Sequence, residues 1–325
     1  MTTAAATRPL SPRQLKQIAL LTLGALALYL FMRWLPTGTA LGHADFRMSG
    51  TGGTELEFCD PSNPQFLPVV NVRSPVETRL TSDRAPVQGE AVQFTLGLRT
   101  TTGKAIGPVD LLETHTRQLH VMVVDPTLTD YQHLHPEPGA VPGEWIFSFT
   151  PQRAGTYRIF CDFTPIATAR GLYASADVVV AEEPVAAVGE TASATSPALA
   201  PTTATETRWH ASEGAYRFAL TPARGQLRAR EAIDLALEIR HEDGAEVALG
   251  EVMGARAHLV AFDRDRGGFA HLHPKEAADA PIADRAAPRL TFQVMIPTSG
   301  RYVVWAQLNL DGREMFVPFW FDVSA

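Results

Sequence analysis

The sequence predicts an all-β chain: two tandem immunoglobulin-like β-sandwich domains behind a single N-terminal transmembrane helix. Three observations predict it. A basic flank leads into the unbroken apolar run IALLTLGALALYLFM at 18–32. Short stretches of strict apolar–polar alternation, bounded by turn residues, fill most of the remainder, which is the period of half-buried strands. These stretches also recur, so that the second half of the chain repeats the first.

Taken in order, residues 1–36 form the cytoplasmic N-terminus and the anchor. Arg8, Arg13 and Lys16 precede the apolar run and Arg33-Trp34 closes it. A bilayer needs roughly 17–25 residues of helix, and the stretch from Leu15 to Leu35 supplies that length. Basic residues stay cytoplasmic, so everything downstream is expected outside the cytoplasm. Gly38, Ala40, Gly42 and Ala44 would permit cleavage. The Arg33-Trp34 boundary reads instead as an interfacial anchor, so a retained single pass is expected. The expected location is the cell membrane, with the bulk of the chain periplasmic or extracytoplasmic and the helix in the inner membrane.

Residues 37–66, rich in Gly, Thr, Asn and Pro, read as an extracytoplasmic tether. Residues 67–180 are the first repeat and 208–325 the second. Between them, 181–207 is an Ala/Pro/Thr-rich linker without an aromatic residue, too polar to order itself. The repeats align directly. GEAVQFTLGLR (89–99) matches REAIDLALEIR (230–240), HVMVVDPTLTDYQHLHP (120–136) matches HLVAFDRDRGGFAHLHP (258–274), and GTYRIFCDF (155–163) matches GRYVVWAQL (300–308). About 115 residues with several short strands is the size of an immunoglobulin-like sandwich.

A net charge of −7 with no basic cluster gives no support to nucleic-acid binding. Two cysteines, Cys59 and Cys161, are too few for a disulfide framework. They allow one disulfide in an oxidising compartment, or two separate thiols.

The histidines carry the chemistry. Four of the ten lie in two copies of HLHP, at 133–136 and 271–274. Twelve residues separate His120 from His133, and the same number separate His258 from His271. Histidines two apart on a strand share a face, and the following Pro136 and Pro274 stop the strand. His120 with His133 and His135, and His258 with His271 and His273, therefore read as two clusters, one per repeat. Three imidazoles leave an open position on zinc, copper or nickel. Five residues ahead of each first histidine stand His115 and Met253. His115 is expected beside the first cluster and Met253 beside the second. A position that is His in one copy and Met in the other suits copper, because thioether is a soft ligand for Cu(I). Asp162 and Gln307, at matching positions, are candidates to orient an imidazole. Met122 reads as packing, and His43, His210 and His241 as surface residues. The plainer reading is that the histidines only brace the fold.

The pattern H-x4-H-[LV]-x-[VA]-x-D, then HLHP, then GxY, resembles the secreted β-sandwich domains grouped as YtkA-like, and in general character the CopC-like copper carriers. The resemblance covers both repeats. It implies an immunoglobulin- or cupredoxin-type sandwich and an association with copper. His115, His120, His133 and His135 match the pattern in full; His258, His271 and His273 match in the second copy, where Met253 departs from it.

Together these readings predict an extracytoplasmic copper carrier or buffer, with zinc as the other metal and a copper-handling membrane protein as partner. The alternative is a non-catalytic interaction module. An enzyme is not expected, because no nucleophile or acid/base pair accompanies the histidines.

Overall fold

The computed structural model describes residues 11–34, 41–46, 66–182 and 207–325. Helix α1 (Pro12–Trp34) begins at a capping box. The Ser11 amide donates to Gln14 Oε1 at 2.9 Å and the Gln14 amide to Ser11 Oγ at 3.4 Å, with Pro12 at the first helical position. Its Pro12–Met32 segment is apolar and 21 residues long, which at 1.5 Å per residue spans about 30 Å, the thickness of a bilayer core.

Residues 41–325 form a second compact unit that contains both repeats. Seven strands of the first repeat are β1 (Val76–Ser82), β2 (Val92–Thr100), β3 (Leu119–Val124), β4 (Tyr131–Leu134), β5 (Glu144–Phe149), β6 (Gly155–Pro165) and β7 (Leu172–Val180). Their counterparts are β8 (Tyr216–Pro222), β9 (Ala232–His241), β10 (Ala257–Asp263), β11 (Phe269–Leu272), β12 (Arg289–Met295), β13 (Gly300–Leu310) and β14 (Arg313–Ser324). One sheet of each sandwich is antiparallel β1-β2-β5, matched by β8-β9-β12. The other is β4-β3-β6-β7, matched by β11-β10-β13-β14. The two sandwiches of the sequence reading are therefore present.

Alternation builds each sandwich core. In β2, Val92, Phe94, Leu96 and Leu98 point inward, and in β9 so do Ile233, Leu235, Leu237 and Ile239. Strands β3 and β10 differ, because they are buried on both faces. Leu119, Val121 and Val123 enter the first sandwich core, whereas Met122 and Val124 join a third cluster with Phe160, Val260, Phe262 and Trp305. This cluster joins the repeats through the outer faces of their second sheets. At about 1.5–3 kcal/mol for each large apolar side chain buried, the contact is substantial.

The expectation of two heads parted by a linker is thereby corrected: the repeats are packed into one body. Residues 183–206 of the linker lie outside the described residues. The expected tether also takes part. Leu41 and Phe46 enter the first sandwich core, while Phe66 enters the second. Leu67 pairs with Phe269 at the edge of β11, donating at 2.7 Å and accepting at 3.1 Å. That strap needs Gly268, because a Cβ there would lie 1.8 Å from the Leu67 carbonyl oxygen. Cys161 is buried in the first core; Cys59, and with it the pairing left open by the sequence, lies outside the described residues.

Candidate metal centre

The histidines stand on the docked faces. On β3, His120 alternates with Leu119 and Val121, so it points away from the sandwich core, and His258 does the same on β10. In register, His120 sits opposite Asp162 and His258 opposite Gln307, while Met122 faces His133 and Val260 faces His271. His135 and His273 follow two residues later, on the same side. Ahead of each strand lies a tight turn closed by paired backbone bonds, Thr114 with Arg117 and Val252 with Ala255. Both central residues of each turn have positive φ: His115 at 50° and Thr116 at 66°, Met253 at 49° and Gly254 at 74°. That is the backbone of a type I′ turn.

Because the two faces dock, the histidines form one continuous nest at the interface. The imidazole nitrogens of His120, His133 and His135 lie within 4.8 Å of one another. A second triad, also within 4.8 Å, consists of His115, His258 and His273. His271 lies between them, its ring centroid 5.3 Å from His133, 5.3 Å from His258 and 4.9 Å from His273. The expected partition is thus corrected. His115 does not complete the cluster of its own repeat but stacks on His273 of the other at 3.9 Å. Docking carries the turn of one repeat over the histidines of the next, which spacing along one chain segment cannot reveal.

Hydrogen bonds fix the tautomers. The Thr114 carbonyl can only accept, so His120 Nε2, 3.0 Å away, carries the proton and Nδ1 is bare. Gln307 Nε2 donates to the Glu314 carboxylate, which turns Gln307 Oε1 towards His133 Nδ1 at 2.8 Å. His133 Nδ1 therefore carries its proton and Nε2 is bare. The two bare nitrogens face each other at 3.3 Å. With no proton between them this contact is repulsive. Two nitrogens bound to one metal at 2.0–2.1 Å in tetrahedral geometry stand about 3.3 Å apart.

Other nitrogens lack partners altogether. His135 Nε2, His271 Nε2, His273 Nε2 and both ring nitrogens of His258 are buried without a hydrogen bond. Each such atom costs roughly 1–3 kcal/mol. His271 Nδ1 lies 3.4 Å from Asp162 Oδ2. Asp162 and Gln307 thus orient imidazoles, as the sequence suggested, but each acts on a histidine of the other repeat.

Burial depresses the pKa of every histidine in the nest, and neighbouring imidazoles add to the effect for most of them. His135 is brought to about 4 and His273 to about 2. All are neutral at neutral pH, the form that ligates metal. The Cys161 thiol points into the sandwich core, where burial pushes it up to about 12, so it offers no thiolate. Met122 is packing, as expected. His43, His210 and His241 lie outside the nest, the last against Asp243. Sequence reasoning missed Thr114 and Glu314, which act through a carbonyl and through a second hydrogen bond.

Residues 72–180 and 210–325 match one family model, described as a domain of unknown function (DUF8832). No curated protein matches the chain. Among solved structures, the chain is similar to the PKD domain of an M14-like peptidase from Thermoplasmatales archaeon SCGC AB-540-F20, at 16% identity and TM-score 0.21, over 32% of this chain and 92% of that one. A protein from Corynebacterium diphtheriae described as membrane anchored aligns at 7% identity and TM-score 0.24, over 76% of this chain and 59% of that one. A DUF4785 family protein from Legionella pneumophila aligns at 8% identity and TM-score 0.23, over 77% of this chain and 55% of that one. The chain thus spans less than two thirds of the length of the latter two. Scores this low carry no argument about function.

Proposed function

The chain belongs to the family described as a domain of unknown function (DUF8832), and from that premise we propose that it is a membrane-anchored, extracytoplasmic protein that binds a first-row transition metal between its two repeats. One observation carries the proposal: His120 Nδ1 and His133 Nε2 direct bare lone pairs at each other across 3.3 Å. A cation between them turns that repulsion into two bonds. The unpartnered nitrogens of His135, His258, His271 and His273 support the same reading. Copper is the first choice and zinc the second, since imidazole serves both and Met253 adds a soft donor. The resemblance of the histidine pattern to YtkA-like and CopC-like domains agrees with copper.

The role is that of a carrier or buffer, exchanging its ion with a copper-handling membrane protein. A purely bracing role explains the bonds of His120 to Thr114 and of His133 to Gln307. It leaves the remaining buried nitrogens without a purpose. The test is metal analysis of the full chain purified in detergent, after exposure to Cu(I), Cu(II) and Zn(II) in turn. At least one equivalent of copper should be retained by the parent and lost from H120A/H133A. A parent chain that retains none of these ions would sink the reading.

A further inference from the structure

We propose that the two metal sites exchange ligands between the repeats: the turn of each repeat completes the site of the other, His115 with His258 and His273, and Met253 with His120, His133 and His135. The assignment rests on the metal-binding reading above and goes beyond it, because it gives the sites different donor sets.

The first half is geometric. His115 stacks on His273 at 3.9 Å between ring centroids, whereas its centroid is 6.2 Å from that of His120 in its own repeat. The nitrogens of His115, His258 and His273 gather within 4.8 Å. The second half is inferred from reciprocal contacts across the junction, which relate the repeats by a pseudo-twofold. Equivalent strands pair in equivalent register, so that His120 opposite Asp162 is matched by His258 opposite Gln307. The side chains across the junction are exchanged in the same sense, since Gln307 holds His133 and Asp162 faces His271. The two turns share one conformation, with φ of 50° at His115 and 49° at Met253. They also meet: a Cβ placed on Gly254 would lie 3.7 Å from Thr116 Cγ2. Applied to Met253, the relation that sends His115 to His258 and His273 sends its thioether to His120 and His135.

The consequence is chemical. The site around His258 is all imidazole and serves Cu(II), Zn(II) and Cu(I) alike. The site around His120 gains a thioether and favours Cu(I). This reverses the assignment expected when each turn serves its own repeat.

The experiment isolates each site in the full chain, with Cu(I) and Zn(II) as probes and chromogenic chelators as competitors. In H258A/H273A, which keeps the first site, M253A should weaken Cu(I) binding by about tenfold or more and leave Zn(II) unchanged. H115A should have no effect there. In H120A/H135A, which keeps the second site, H115A should weaken both ions by at least the same factor and M253A should weaken neither. M253H in the H258A/H273A background should raise Zn(II) affinity, which separates lost ligation from lost folding. If H115A weakened the first site and M253A the second, the exchange would be overturned and metal binding would stand. A parent chain that binds neither ion would remove both.

Discussion

His133 shows what a single side chain contributes. Its Nε2 is bare because a relay from Glu314 through Gln307 holds the proton on Nδ1, and on the proposed function that nitrogen is the ligand. Gln307→Leu should therefore lower metal affinity by roughly 10–100-fold while leaving circular dichroism unchanged, as read by chelator competition. The nest also sets a pH dependence. Every histidine in it has a lower pKa folded than unfolded, so the unfolded chain binds more protons below about 6.5. The stability of the metal-free protein is then full above that pH and falls as pH drops towards the value of about 4 held by His135. Melting temperatures should hold between pH 8 and about 6.5 and decline from there to pH 4.5, and bound metal should shift the decline to lower pH. The identity of these histidines was legible, because two copies of HLHP at equal spacing from His120 and His258 mark them. Their tautomers were not, since Thr114 acts through its backbone and Glu314 through an intermediary.

Strands β3 and β10 decide how the repeats meet. Their sequences, LHVMVV and AHLVAFD, lack the polar alternation of β2 and β9. A strand apolar at its outward positions too is buried on both faces, and β13 is buried in the same way, so the sequence marks a second face to be covered. What alternation could not supply was the partner, because any apolar face would satisfy it. Phe262 is fully buried in the junction and packs on Phe160 and Tyr131. Phe262→Ala should cost about 3–5 kcal/mol, measured by denaturant unfolding, and should weaken metal retention with no ligand changed. Gly268→Ala should free the strap at Leu67, detected as faster amide exchange at Phe269.

For the whole molecule, the repeats were legible as a tandem pair and their union was not. The composition of 181–207 pointed to a spacer, and a spacer suggests independence, yet independence is decided by the surfaces at its ends. A protease site inserted near residue 195 tests this. After cleavage the halves should still co-purify through the Met122, Phe160 and Phe262 cluster; separation in mild detergent would show the covalent joint to be essential. Orientation has its own test. On the proposed topology, which the positive-inside rule assigns from Arg8, Arg13 and Lys16 ahead of the apolar run, a periplasm-dependent reporter fused after Ala325 should be active, and an inactive one would overturn that orientation. The pseudo-twofold junction has one more consequence. A face that mates with its own duplicate is the requirement for a symmetric homodimer, and one such repeat alone would own half of each site. In a homodimer both turns must bear the same residue. Covalent fusion lifts that identity, so each half can drift separately, and a His at 115 can answer a Met at 253.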